Sequence, residues 1–139
     1  MSLQIPRHAV LDTHALLWWI GGRMRSLGRA ARGFVERVDE GNAVAYVPSI
    51  VLVELSEAIQ RGVFSLGEPF DVFVQRLEHT PSRYRVVPLD ASVVARSHGL
   101  LAIPERGDRL IAATAQHLGL PLVTRDPAIA RVIGGDVLW

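Results

Sequence analysis

Short apolar runs alternate with longer amphipathic stretches of helical period, and this alternation is the strongest constraint on what the chain can fold into. A helix between two strands carries the chain back to its starting end, so the next strand enters parallel to the last. His8–Leu11, Ala43–Val47, Tyr84–Leu89 and Leu120–Thr124 read as strands, and Asp136–Leu138 as a short final one. Thr13–Ile20, Leu27–Glu40, Ile50–Arg61, Glu68–His79, Ala91–Leu101 and Asp108–Leu118 read as helices, with a helical turn over Pro127–Val132. In Leu27–Glu40, Leu27, Ala31, Phe34, Val35 and Val38 share one face and the charged residues lie elsewhere. Gly21-Gly22, Gly41-Asn42, Gly62 and Gly119 close helices, and Ser49 suits an N-cap for the helix after Pro48. The expected order is βααβααβααβαβ, an α/β chain of βα units around a parallel sheet.

Its 139 residues match one compact domain with one core, expected over 1–139. The apolar fraction of 49% and charged fraction of 21% are those of a globular protein. There is no cysteine, which excludes disulfides, zinc–thiolate sites, iron–sulfur clusters and thiol nucleophiles, and fits a cytoplasmic location. No apolar run approaches the roughly 20 residues of a membrane span, and no membrane partner is expected. The start, Met1-Ser2-Leu3-Gln4-Ile5-Pro6-Arg7, lacks the apolar stretch of a signal peptide. All 15 basic residues are arginine, so Schiff-base chemistry, a P-loop lysine and the lysine of a phospho-receiver site are excluded. Arginine forks well onto phosphate, but a GC-rich genome favours its codons, and the net charge of +1 says little about partners.

Most of the 14 acidic residues fall on polar helix faces, where solvation explains them: Glu36, Asp39, Glu40, Glu57, Glu68, Asp71, Glu78 and Glu105. Asp12 differs. It follows Ala9-Val10-Leu11 at the carboxyl end of the first strand, where open parallel sheets collect ligands. Capping the next helix is an equal reading. Asp126 follows Leu122-Val123-Thr124-Arg125 at the carboxyl end of another strand, before Pro127, and carries the same two readings. Two such residues on two strands favour a shared crevice. Glu54 stands among Ile50, Val51, Leu52, Val53 and Leu55, and a carboxylate so placed is costly unless paired or bound to a cation. The competing reading puts it on an exposed stripe with Glu57 and Arg61. Asp108 and Asp90 each open a helix, and local sequence does not separate them. Close carboxylates repel by several kcal/mol per pair at low effective dielectric, roughly 4 kcal/mol at 4 Å even at an effective dielectric of 20. Protonation or a hard cation relieves this, and oxygen-only ligands suit Mg²⁺ or Mn²⁺.

Four segments, Val10-Leu11-Asp12-Thr13-His14-Ala15-Leu16-Leu17-Trp18, Pro48-Ser49-Ile50-Val51-Leu52-Val53-Glu54-Leu55, Gly107-Asp108-Arg109-Leu110-Ile111-Ala112-Ala113-Thr114-Ala115 and Leu122-Val123-Thr124-Arg125-Asp126, resemble in order and spacing those of PIN-domain proteins, and within them the VapC-type toxin ribonucleases. The resemblance spans nearly the whole chain. It implies a three-layer α/β/α fold with a central parallel sheet of about four to five strands. It implies a Mg²⁺- or Mn²⁺-dependent endoribonuclease with Asp12, Glu54, Asp108 and Asp126 as the acids. Asp12 and Asp108 would bind metal directly and Asp126 directly or through water. Glu54 would act through water or orient the attacking one. It implies support from the hydroxyls of Thr13 and Thr124, a VapB-like antitoxin partner and a homodimer. Asp90 matches no family acid and is left as a cap. The family often carries another small or polar residue where this chain has Gly107, a departure expected to loosen that loop.

Arg106, Arg109 and Arg125 adjoin acids in the chain and are candidate RNA contacts, against local charge balance. His14 is a candidate for proton transfer, against a structural role. Of the adjacent Trp18 and Trp19, one is expected in the core and the other at an interface or against a base. Two other classes compete. A haloacid-dehalogenase-like phosphatase needs an Asp two residues after the first, where His14 stands, and usually a lysine. A catalytically silent binding module of the same fold would be expected to lose acids, and all four are present.

Overall fold

The computed structural model describes residues 4–134 and 136–139. Met1–Leu3, part of the opening segment read above, lie outside them. Five strands, β1 (His8–Leu11), β2 (Val44–Pro48), β3 (Tyr84–Val87), β4 (Leu122–Val123) and β5 (Val137–Leu138), pair all in parallel in the order β3-β2-β1-β4-β5. Helices α1 (Thr13–Ile20) and α2 (Arg29–Asp39) lie between β1 and β2, with a short 3-10 turn over Met24–Ser26. Helices α3 (Ser49–Gln60) and α4 (Phe70–Glu78) precede β3, α5 (Ala91–Ser97) and α6 (Arg106–Leu118) precede β4, and α7 (Pro127–Ile133) precedes β5. The expected order of elements is therefore observed.

The consecutive residues Ala9, Val10 and Leu11 of β1 are wholly buried, as are Leu122 and Val123 of β4. Successive side chains of a strand point to opposite faces, so helices must cover both sides of the sheet. The three-layer α/β/α expectation holds. In α2 the expected face is the buried one: Ala31, Phe34, Val35 and Val38 all sit in the core, joined by Leu27 from just before the helix. No helix among the described residues is long and apolar enough to cross a membrane.

Strand order locates the crevice. From β1 the chain steps outward through β2 to β3, then jumps back to β4 on the other flank of β1. The connections diverge between β1 and β4, the position where open α/β sheets leave a crevice beyond the strand carboxyl ends. In register, Leu11 pairs with Val123, so the next residues, Asp12 and Thr124, emerge side by side.

Several boundaries depart from expectation: α2 starts at Arg29 rather than Leu27, α4 spans Phe70–Glu78 rather than Glu68–His79, β3 stops at Val87 and β4 is only Leu122–Val123, and three further shifts have a local reason. Ser49 is the first residue of α3 rather than its cap, and its hydroxyl donates to the Val87 carbonyl at 3.0 Å across the β2–β3 edge. Helix α5 stops at Ser97, short of Leu101, with Gly99 close behind. Helix α6 starts at Arg106, two residues before Asp108, and ends where Gly119 turns left-handed at φ 65°.

Candidate active site

Asp12 is set by β1 and α1 together. Its Oδ1 accepts from the Ala15 amide at 2.8 Å, capping α1, and the residue is 7% exposed. Beside it, the buried hydroxyl of Thr124 also accepts from the Asp126 amide at 3.1 Å. Asp126 caps α7: its Oδ1 accepts from the amides of Ala128 at 2.8 Å and Ile129 at 3.3 Å, with Pro127 at the first helical position. The capping and crevice readings of these two residues are thus compatible. Each spends one oxygen on a helix end and still faces a common cleft of about 640 Å³.

Glu54 reaches the same cleft from mid-α3 and is half-buried. The Thr13 hydroxyl donates to its Oε1, which ties α3 to the start of α1. Gly107 meets it from α6: a Cβ built there would stand 2.6 Å from Glu54 Oε2. Gly107 is therefore inside a helix rather than in a loosened loop, and its missing side chain leaves room for the carboxylate. Asp108 is the third residue of α6, not its cap; Glu105 holds the cap position and makes no side-chain capping bond. Asp90 is a cap alone. Its Oδ1 accepts from Val93 at 3.0 Å, and it is not among the residues lining the cleft.

The carboxylates feel one another. Burial pushes the Asp108 carboxyl up to about 6, and Asp126, Glu105, Glu54 and Asp12 push in the same direction. Asp12 is also raised, mainly by burial. The Thr124 hydroxyl, the Ala15 amide and His14 oppose that, while Asp126 adds to it. Such a set favours protons or cations, and its donors are carboxylate oxygens, the chemistry that suits Mg²⁺ or Mn²⁺. Among the described residues no group of three acidic or histidine side chains is gathered tightly enough to hold an ion as it stands. The donor chemistry fits a hard cation; the arrangement is an open one.

The three candidate arginines separate. Arg109 turns away, donating to the carbonyls of Ile103 and Pro104, both at 2.9 Å, and holds the loop before α6. Arg106 is exposed and does not line the cleft. Arg125 does line it, with its guanidinium carbon 4.6 Å from the Trp18 ring centroid. Trp18 also contacts Trp139 edge-on at 5.7 Å and His14 at 5.5 Å, and His14 lines the cleft. Trp19 packs on Tyr84 and donates from Nε1 to Asp39 at 3.2 Å; both tryptophans are half-buried, so neither is fully in the core. Sequence reasoning passed over Glu57, Arg61 and Glu105, which also line the cleft. The spacing 54, 57, 61 was a signal for the first two, since these positions share a helix face. The exposed-stripe reading of Glu54 and its entry into the cleft are the same geometry, because the stripe faces the crevice.

A family model described as PIN domain matches residues 9–134. No curated protein sequence matches significantly. Among solved structures, the chain is similar to VapBC2 from Rickettsia felis bound to a DNA fragment from their promoter, at TM-score 0.62 and 19% identity, covering 94% of this chain and 95% of that one. It is similar to a toxin–antitoxin complex from Klebsiella pneumoniae at TM-score 0.56 and 20% identity, covering 94% and 96%. It is similar to FitAcB from Neisseria gonorrhoeae at TM-score 0.54 and 21% identity, covering 93% and 95%. At these identities the likeness is one of fold.

Proposed function

Because the chain belongs to the PIN domain family, we propose that it is a Mg²⁺- or Mn²⁺-dependent endoribonuclease and the toxin of a VapBC-like toxin–antitoxin pair. The observation that carries the reading is the convergence of Asp12, Glu54, Asp108 and Asp126, from four separate elements, on one cleft at the point where the strand order reverses. The toxin assignment draws on the likeness in fold to the toxin–antitoxin complex from Klebsiella pneumoniae and to VapBC2 from Rickettsia felis. A VapB-like antitoxin is the partner, its tail covering the acidic cleft, and the active form is a homodimer in the cytoplasm.

In this mechanism Asp12 and Asp108 would hold the cation, and Asp126 would join them directly or through water. The ion, when bound, polarises the scissile phosphate and lowers the pKa of a nearby water. Glu54 orients the attacking water, and the Thr13 hydroxyl fixes its carboxylate for that task. Thr124 holds Asp12 and the Asp126 backbone in register. The helix caps at Asp12 and Asp126 restrain both carboxylates, so little rotamer freedom is lost on binding. Arg125 offers its guanidinium to substrate phosphate.

Protein purified free of any partner should cleave RNA with Mn²⁺ or Mg²⁺ and stop on adding EDTA. Asp12→Asn and Asp108→Asn should each abolish cleavage while the melting transition persists. Full activity in both variants would sink the site assignment. A folded wild type that binds RNA but never cuts it would instead make this a silent binding module.

A further inference from the structure

Arg61 and Arg125 are the two arginines among the residues lining the acidic cleft. Both are exposed, and neither is ion-paired among the described residues, where the bridge formed is Arg76–Glu68. That is unexpected beside so many carboxylates. Arg125 lies immediately before Asp126 yet stacks on Trp18 instead of pairing with an acid. Stacking on an indole face restrains a guanidinium without using its N–H donors, which project from its edge. The charge is kept free and its position is fixed.

The platform under Arg125 is itself anchored. Trp139 meets Trp18 edge-on, and its backbone oxygen accepts from the amides of Ala30 and Ala31 at 2.8 and 3.3 Å. Gly28 admits this contact, because a Cβ there would stand 2.5 Å from the Trp139 ring. The chain of contacts runs from the start of α2 through Trp139 and Trp18 to Arg125. Arg61 arrives differently, at the C-cap of α3, about two helical turns beyond Glu54. Arg61 follows α3, the helix after β2, and Arg125 follows β4, and these two strands flank β1 on opposite sides.

Building on the ribonuclease reading above, we propose that Arg61 and Arg125 are two phosphate-binding points on either side of the acidic centre, so that an RNA strand crosses the end of β1 from one to the other. Trp18 is the positioning residue that holds Arg125 ready. The acids alone repel a polyanion; flanking arginines seat the phosphates next to the scissile one while the centre stays available for the cation.

The test uses the full chain carrying Asp12→Asn, to prevent cutting, in Mg²⁺ buffer, with a fluorescein-labelled single-stranded RNA of about 12 nucleotides. Affinity is read by anisotropy across a KCl series. Arg61→Ala and Arg125→Ala should each weaken binding about tenfold and flatten the salt slope by about 0.7, the loss of one phosphate contact on a single strand. Arg96→Ala, an equal charge loss away from the cleft, should leave the slope unchanged. Trp18→Leu should weaken binding severalfold alone and add nothing to Arg125→Ala, because it acts through that residue. Trp18→Phe, which keeps a ring, should fall between, and it carries the test if Trp18→Leu does not fold. An unmoved slope in either arginine variant, an equal effect of Arg96→Ala, or additivity of Trp18→Leu with Arg125→Ala would overturn the proposal. Cleavage by the protein with Asp12 intact is followed in parallel. Cleavage with unmoved slopes removes the clamp and leaves the nuclease standing, whereas neither binding nor cleavage removes both.

Discussion

The junctions that follow β1 and β3 are built alike. Each strand ends, an aspartate follows, and its Oδ1 caps the next helix, Asp12 through Ala15 at 2.8 Å and Asp90 through Val93 at 3.0 Å. Their surroundings are opposite. β1 is the middle strand and β3 is the edge. Asp12 is therefore buried, beside Thr124 and under the field of Asp126, whereas Asp90 is exposed. The same local chemistry gives a structural cap at one place and a cleft carboxylate at the other, and the position of the strand in the sheet makes the difference.

Four experiments break or sharpen that contrast. The largest effect is expected for Asp12→Asn. Asparagine caps a helix about as well as aspartate, so the fold should persist while cleavage falls by about 10²-fold or more. Asp90→Asn, the matched change, should leave cleavage within about twofold, since asparagine keeps the cap. Next is Thr124→Val, which keeps shape but removes the hydroxyl shared by Asp12 and the Asp126 amide. Mn²⁺ affinity should drop about tenfold, the cost usual for a supporting group behind a ligand. An unchanged affinity would show that Thr124 only packs.

A smaller effect concerns stability alone. Asp90→Ala should cost about 1 kcal/mol, read as a melting temperature lower by about 4 °C, with cleavage unaffected. A loss of activity there would erase the contrast. The smallest effect concerns pH. The Asp108 carboxyl, raised from 3.8 to about 6, binds its proton more tightly in the folded state than in the unfolded one. Metal-free protein should therefore lose stability from this group as pH rises from about 4 to about 6, and hold it at lower pH. Asp108→Asn should recover on the order of 1 kcal/mol at pH 7, after allowance for solvent screening. A melting temperature lowered by that variant would contradict the cost of burying this carboxylate beside the other acids.

Much of the architecture was legible because periodicity is local. The strand after which Asp12 stands, the buried face of α2 and the order of elements all follow from neighbouring residues. Asp12 and Asp126 could be marked from strand ends alone, and Glu54 from its apolar surroundings. Asp108 could not be told from Asp90 by its own neighbours, since that distinction depends on α6 packing beside α3 while α5 starts at the sheet edge. Gly107 was misplaced in a loop for a related reason: its use is a contact with Glu54, more than fifty positions away in the chain. Arg61, Glu57 and Glu105 look like solvated helix residues until the cleft they face exists. Arg109 and Arg125 each sit beside an acid in sequence, and only their contacts separate a loop clamp from a residue stacked on Trp18.

The central claim is that the carboxylates gathered at the end of β1 bind a divalent cation. Calorimetric titration of Mn²⁺ at pH 7 into the wild type, Asp12→Asn and Asp90→Asn tests it directly. The account predicts saturable binding to the wild type and to Asp90→Asn, and its loss in Asp12→Asn. Equal binding to all three, or none to a folded wild type, would contradict it.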